Sequence, residues 1–180
     1  MTTFGFGQRV GQVVQTAYVV EDMGAAIDWW IRDARVGPWF LLDSFKAPGA
    51  RYRGAPNTAD VSLAMAFAGH MQIELIQPKD DEPSVYRDTI VQRGYGFHHI
   101  GLAVDDVEGE RARYIARGYD EAFSSPVPSG GNVYYMDGSR TGAPGFVELI
   151  PATPGMDDLF TRFWRASVEW DGRDPVREFR

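Results

Sequence analysis

The sequence contains no cysteine. That excludes disulfides, a thiolate zinc site and a cysteine nucleophile. Histidine is almost as scarce, with three in 180 residues, so imidazole chemistry can involve only His70, His98 or His99. No charge-free run approaches the length of a membrane span, and no charged-then-apolar stretch opens the chain as a signal peptide would. A soluble, cytoplasmic protein with no membrane partner is expected. Basic residues number 18 against 25 acidic ones, and the resulting net charge of -7 repels a nucleic-acid backbone, so no nucleic-acid partner is expected either. What the chain does have is apolar mass. At 44% hydrophobic, with 11 Phe, 8 Tyr and 5 Trp, it can bury a sizeable core and is not of disordered composition. Its length predicts one domain or two very small halves.

Strand and helix signals alternate along the chain. Residues 13–20 form a β-branched, strand-like run, and Asp22 is placed to cap a helix carrying Met23, Ala26, Ile27, Trp30 and Ile31 at helical spacing. Pro38 ends it before a second strand at 39–42. Residues 43–60, rich in Gly, Pro, Ala, Arg and Lys, read as a long loop over a site. Residues 61–68 and 71–77 read as a hairpin about Gly69-His70, and 83–93 as a connecting helix. The pattern then begins again, with a strand at 100–104, a helix capped by Asp106 and ended by Gly118, an ambiguous stretch at 122–128, and a hairpin of 132–137 with 145–150. Residues 157–168 form a final amphipathic helix with Leu159, Phe160, Phe163 and Trp164 apolar, followed by a charged tail.

This recurrence is an internal repeat. Residues 14–22 align with 98–106, and 71–78 with 145–152. Gln15 and Glu74 stand 59 residues apart and His99 and Glu148 stand 49 apart; the extra ten fit the loop after Asp43. Two βαβββ modules, 11–78 and 96–152, are expected within a single domain spanning 1–180, with 154–180 as a C-terminal helix and tail. Four polar residues occupy equivalent points of the aligned strands: Gln15, Glu74, His99 and Glu148. A single strand glutamate most often faces solvent, and a single histidine or glutamine carries little information. The shared register is what sets these four apart. A carboxylate on a mostly covered sheet must be paired, hydrogen-bonded or metal-bound, and no Lys or Arg lies in these strand segments. Two carboxylates, a neutral imidazole and an amide oxygen total -2, which a divalent cation neutralises. Three oxygens and one nitrogen suit Mg, Mn, Fe(II), Co, Ni or Zn, in a site with open positions. The register sets His99 opposite Gln15, so His99 is the expected ligand. His98 is expected to face the other side of the sheet, and His70 to be solvated at its turn.

The motifs Gly96-Phe97-His98-His99-Ile100-Gly101-Leu102-Ala103-Val104-Asp105-Asp106 and Val147-Glu148-Leu149-Ile150 resemble those of the vicinal oxygen chelate superfamily, the glyoxalase/bleomycin-resistance/dioxygenase group, over residues 13–152. Ile73-Glu74-Leu75-Ile76-Gln77-Pro78, Ser84-Val85-Tyr86 and the run from Gly94 to His99 are most similar to the methylmalonyl-CoA epimerase-like branch. The resemblance implies an α+β fold in which paired βαβββ modules close into a cupped mixed sheet, with the metal held inside by Gln15, Glu74, His99 and Glu148. Epimerases of that branch place His and Gln where this chain has Gln15 and Glu74, an arrangement similar to glyoxalase I of the Gln/Glu/His/Glu type. Ser62 stands about where they carry a catalytic glutamate.

These readings together lead to a divalent-metal-dependent enzyme that chelates two neighbouring oxygens of a small substrate and moves a proton through an enolate or enediolate. It would be an isomerase, epimerase or lyase. Glu148 is the first candidate for the base, Glu74 the second. Trp39, Phe40, Tyr52, Phe67 and Tyr135 are candidates to line the cup, which would suit a bulky or aromatic substrate, and Arg51 and Arg53 could meet an anionic group. A homodimer is expected. The competing expectations are a drug- or metabolite-binding protein of the bleomycin-resistance type, and an Fe(II)-dependent dioxygenase. The latter normally uses two histidines and one carboxylate, where this set has one histidine.

Overall fold

The computed structural model describes residues 2–179. The first half runs β1 (Val13–Val19), α1 (Met23–Arg32), β2 (Trp39–Phe45), the two-residue strands β3 (Arg51–Tyr52) and β4 (Ala55–Pro56), then β5 (Val61–Ala68) and β6 (Met71–Pro78). Helix α2 (Val85–Arg93) connects it to the second half: β7 (Gly96–Val104), α3 (Val107–Ala116), β8 (Asp120–Pro126), β9 (Asn132–Asp137) and β10 (Phe146–Pro151). Helix α4 (Pro154–Val168) and β11 (Val176–Glu178) follow. Asp22 and Asp106 do cap α1 and α3, accepting from the Ala25 and Gly109 amides at 2.9 Å each, which satisfies donors that a helix start leaves unpaired. Among the described residues, no helix is long and apolar enough to cross a membrane.

The eleven strands of the described residues form one mixed sheet in the order β11-β2-β5-β6-β1-β7-β10-β9-β8-β3-β4. The seam is the antiparallel pair β1–β7, and each of these strands is flanked by a parallel partner, β6 or β10. Side chains alternate between the two faces of the sheet. On the convex face α1 packs over Trp39, Ala64, Ile73 and Leu75, and α3 over Tyr134, Met136, Val147 and Leu149. On the concave face lie two further clusters. One gathers Ala17, Val19, Ile76, Tyr135 and Phe146 with Val85 and Tyr86 of α2; the other gathers Phe40, Phe67 and Ile150 with Phe160 and Phe163 of α4.

Several elements differ from what periodicity predicts. Strand β2 continues to Phe45, and the loop after it contains the small β3–β4 hairpin. That hairpin crosses the mouth of the cup to pair with β8, aligning Arg51 with Ser124 and Tyr52 with Phe123. The ambiguous stretch at 122–128 lies largely in β8, an inner strand with β9 on one side and β3 on the other. Helix α4 begins at Pro154 because Thr153 caps it, accepting from the Met156 amide at 3.1 Å, and proline suits a first helical position. The charged tail is not loose: β11 pairs in parallel with β2, Val176 against Trp39.

Candidate metal centre

The four central strands bring the repeat-equivalent residues to one place. Across the sheet, Glu74, Ala17, His99 and Phe146 form one aligned row, and Gln72, Gln15, Gly101 and Glu148 form the next. Gly101 is needed there. A Cβ at that position would lie 2.6 Å from Gln15 Oε1 and 2.7 Å from Ile150 Cδ1, so only the bare backbone lets the Gln15 side chain lie across β7. Gln15 Nε2 donates to Gln72 Oε1 at 2.7 Å, which leaves Gln15 Oε1 turned toward His99 Nε2 at 3.1 Å. Glu148 Oε2 is 3.1 Å and Glu74 Oε2 3.5 Å from the same nitrogen. One ligand atom from each of Glu74, His99 and Glu148 lies within 4.8 Å of the others, and all four side chains are buried.

His98 is a correction to the sequence reading. It does not face away from the site: its Nδ1 lies 2.7 Å from His99 Nδ1. The reason is a break in register. Ala17 pairs with His99 but Tyr18 pairs with Phe97, which leaves His98 as the extra residue of a bulge, and a bulge can re-aim a side chain. His98 is fully buried among the rings of Tyr86, Tyr135 and Phe146. Burial and the neighbouring His99 hold its pKa well below the usual 6.5, so it is neutral.

That neutrality fixes the proton positions. The Val85 carbonyl can only accept, so His98 Nε2 carries the hydrogen that reaches it at 3.3 Å. His98 Nδ1 is then an acceptor, and His99 Nδ1–H donates to it. His99 Nε2 is left with a lone pair pointing at three oxygens. His99 is itself kept neutral, its pKa lowered by burial to about 3. Four lone-pair-bearing atoms therefore converge with no proton donor between them, and Glu74 Oε2 is buried with no hydrogen-bond partner. Such an arrangement costs free energy unless a cation or added protons neutralise it. Both carboxyls are accordingly pushed upward, Glu74 by burial and then by the charge of Glu148, and Glu148 by burial, to about 8. The residues present fit a divalent ion: hard oxygen donors, one imidazole with the correct free nitrogen, and a charge of -2.

The carboxylates look into a cavity of about 800 Å³ inside the cup. Gln15, Glu74 and Glu148 line it together with Tyr86 and Tyr135. Burial followed by the charges of Glu74 and Glu148 raises the Tyr86 pKa. Burial, then Glu148, Tyr86 and Glu74, raises that of Tyr135, so both phenols stay protonated. Of the aromatic residues put forward from the sequence, only Tyr135 reaches this cavity. Trp39 lies on the convex face, packed among α1 residues. Phe40 is on the concave face but stacked on Phe163 of α4, ring centroids 3.8 Å apart. Phe67 is covered by Phe6 and Phe160. The Tyr52 hydroxyl donates to Asp88 at 2.8 Å. In their place Phe45, Phe123, Phe160 and Phe179 contribute the rings. Arg51 turns its guanidinium to the Gly54 carbonyl, and Arg53 is engaged by Asp88 at 2.8 Å and Asp137 at 3.2 Å, so neither faces the cavity. Ser62 alternates to the convex side and donates to the Asp43 carbonyl at 2.7 Å, while Val61, Leu63 and Met65 of β5 face the cavity. His70 is exposed at its turn, as expected, with its ring against Trp164 and its Nδ1 2.6 Å from the Phe6 carbonyl oxygen.

A cupped sheet of two βαβββ halves defines a class of fold, and comparison with known proteins agrees. Residues 14–135 match the family model of the Glyoxalase/Bleomycin resistance protein/Dioxygenase superfamily, and the chain belongs to that superfamily. Among solved structures, methylmalonyl-CoA epimerase from Mycobacterium tuberculosis is similar at 17% identity and a TM-score of 0.57, covering 88% of this chain and 95% of that one. A hypothetical protein from Bacillus halodurans C-125 is similar at 20% identity and a TM-score of 0.57, covering 79% and 94%. The Streptomyces coelicolor epimerase, bound to 2-nitronate-propionyl-CoA, is similar at 16% identity and a TM-score of 0.56, covering 79% and 96%. At these identities the likeness extends to the fold. No curated protein matches the chain in sequence.

Proposed function

We propose that the protein is a divalent-metal-dependent enzyme that takes hold of two neighbouring oxygens of a small molecule and moves the proton on the adjoining carbon, as an isomerase, epimerase or lyase. Gln15, Glu74, His99 and Glu148 would hold the ion, which when bound would act as a Lewis acid on the substrate carbonyl. The observation that carries this reading is the convergence of four lone-pair-bearing atoms, one of them the unpartnered Glu74 Oε2.

The protein's own groups divide the remaining work. Glu148 lines the cavity and is raised by burial, so as a carboxylate it is a stronger base than one in water and suits removal of a carbon-bound proton. Glu74 is the second candidate. The protonated phenols of Tyr86 and Tyr135 offer O–H donors beside the carboxylates, where negative charge would develop on a substrate oxygen. The apolar walls exclude water and strengthen both effects.

The test uses 2-hydroxyacetophenone, an α-hydroxyketone with its two oxygens on adjacent carbons, in D2O under anaerobic conditions. The metal-loaded protein is expected to exchange the α-hydrogens faster than buffer, by proton NMR, and Glu148→Gln to slow that exchange by roughly 100-fold or more. Exchange at the buffer rate in both proteins would count against proton transfer. Oxygen consumption without exchange would favour an oxygenase instead.

A further inference from the structure

The cavity walls carry information about the rest of the ligand. Beyond the carboxylate end, they are built mostly from apolar residues such as Leu42, Phe45, Leu63, Val133, Leu159 and Phe179, with Asn57, Ser125 and Ser129 as uncharged polar groups among them. The charged residues that line it are few. Among the described residues, besides Glu74 and Glu148 there are Asp158 and Arg162, both exposed on α4 and of opposite sign. Among them no lysine lines it, and Arg51 and Arg53 are turned elsewhere. A phosphate-bearing ligand brings several negative charges to a chain whose net charge is -7, and among the described lining residues it would meet one cation with an acid beside it. The volume of about 800 Å³ falls within the range of roughly 300–1,000 Å³ that holds drug-sized molecules. The aromatic rings come from several different walls: Phe45 from β2, Phe123 from β8, and Phe160 from α4.

We propose that the cup receives an uncharged, largely apolar molecule with its two neighbouring oxygens at one end, and not a phosphate-bearing thioester. Only the placement of the oxygen-bearing end rests on the metal-centre reading; the choice of an apolar, phosphate-free body rests on the walls. The epimerases that share the fold act on a CoA ester by name, so the walls mark a divergence in substrate class within a common scaffold.

The experiment titrates the Co(II)-loaded full chain with straight-chain hydroxamic acids, which present two adjacent oxygens on tails of increasing length, and follows the cobalt absorption. Each buried methylene contributes about fourfold in affinity. Octanohydroxamate is therefore expected to bind at least roughly 100-fold more tightly than acetohydroxamate, with little dependence on salt. Coenzyme A is expected not to compete at concentrations that saturate the octyl compound. Leu159→Lys, which places a charge in the wall, is expected to weaken octanohydroxamate by roughly tenfold or more. Affinity independent of tail length, or competition by coenzyme A, would overturn the proposal while leaving the metal site standing. A parallel titration of chelator-treated protein with the neutral fluorophore N-phenyl-1-naphthylamine separates the two readings. Binding there, with no Co(II) uptake, sinks the metal centre and keeps the apolar cavity; no binding there sinks the cavity proposal.

Discussion

His98 shows how one backbone irregularity changes what a side chain can do. In a regular strand it would point to the convex face, away from His99. In the bulge it becomes the acceptor that orients the His99 ring and fixes which nitrogen bears the proton. Partners of this kind to a ligand histidine typically contribute 10–100-fold to metal affinity. His98→Phe keeps the aromatic packing against Tyr86 and Phe146 but removes both hydrogen bonds. It is expected to weaken divalent-metal binding by that order while leaving the circular dichroism spectrum unchanged. Unchanged affinity in a folded variant would show that His99 orients without it. That Gln15, Glu74, His99 and Glu148 come together was legible in the sequence, because a repeat places equivalent residues at equivalent strand positions and alternation puts Gln15 and Glu74 on one face. His98 was not, because no side-chain pattern announces which of two adjacent histidines a bulge will turn.

At the scale of elements, α4 decides which aromatic residues remain open to the cavity. Phe40 and Phe67 alternate onto the concave face as the strand period demands, yet Phe163 and Phe160 cover them. The helix pattern at 157–168 was visible from its apolar spacing, but nothing local says which face of the sheet a helix will cover. That is set by tertiary packing, and it is the reason two of the aromatic candidates, Phe40 and Phe67, are closed off from the cavity. The same limit hid β11, whose three residues carry no strand signal and pair with β2. Because Phe163 is fully buried against Phe40 and Phe179, Phe163→Ala is expected to cost about 3–5 kcal/mol of stability. Chemical denaturation of the metal-free protein measures it. A loss below about 1 kcal/mol would mean that α4 rests only loosely on the sheet.

For the molecule as a whole, the buried cluster links stability to pH and to metal. His98 and His99 are held below 6.5, so the unfolded chain binds protons that the folded one does not. Stability on that account rises with pH up to about 6.5, His99 contributing from about 3 upward. Glu74 and Glu148 are raised above 4.5, so the folded chain keeps protons that the unfolded one gives up. Stability on that account falls as pH climbs from 4.5, and for Glu148 toward about 8. A bound cation favours the ionised carboxylates and removes the second loss. The melting temperature of metal-free protein is therefore expected to fall between pH 6 and 8, whereas that of protein with divalent metal at about 100 times its Kd is not, the metal adding about 2.7 kcal/mol. Thermal melts with and without chelator across that range would check this, and parallel curves would contradict it.

The central claim is that four converging residues form a cation site whose carboxylates are protonated when the cation is absent. Calorimetric titration of the metal-free protein with Zn(II) or Co(II), repeated near pH 7 in buffers of different ionisation enthalpy, tests it most directly. The account predicts a single site that releases protons on binding, with Glu148→Gln lowering both the affinity and the number of protons released. No saturable binding, or binding that releases no proton and ignores Glu148→Gln, would contradict it.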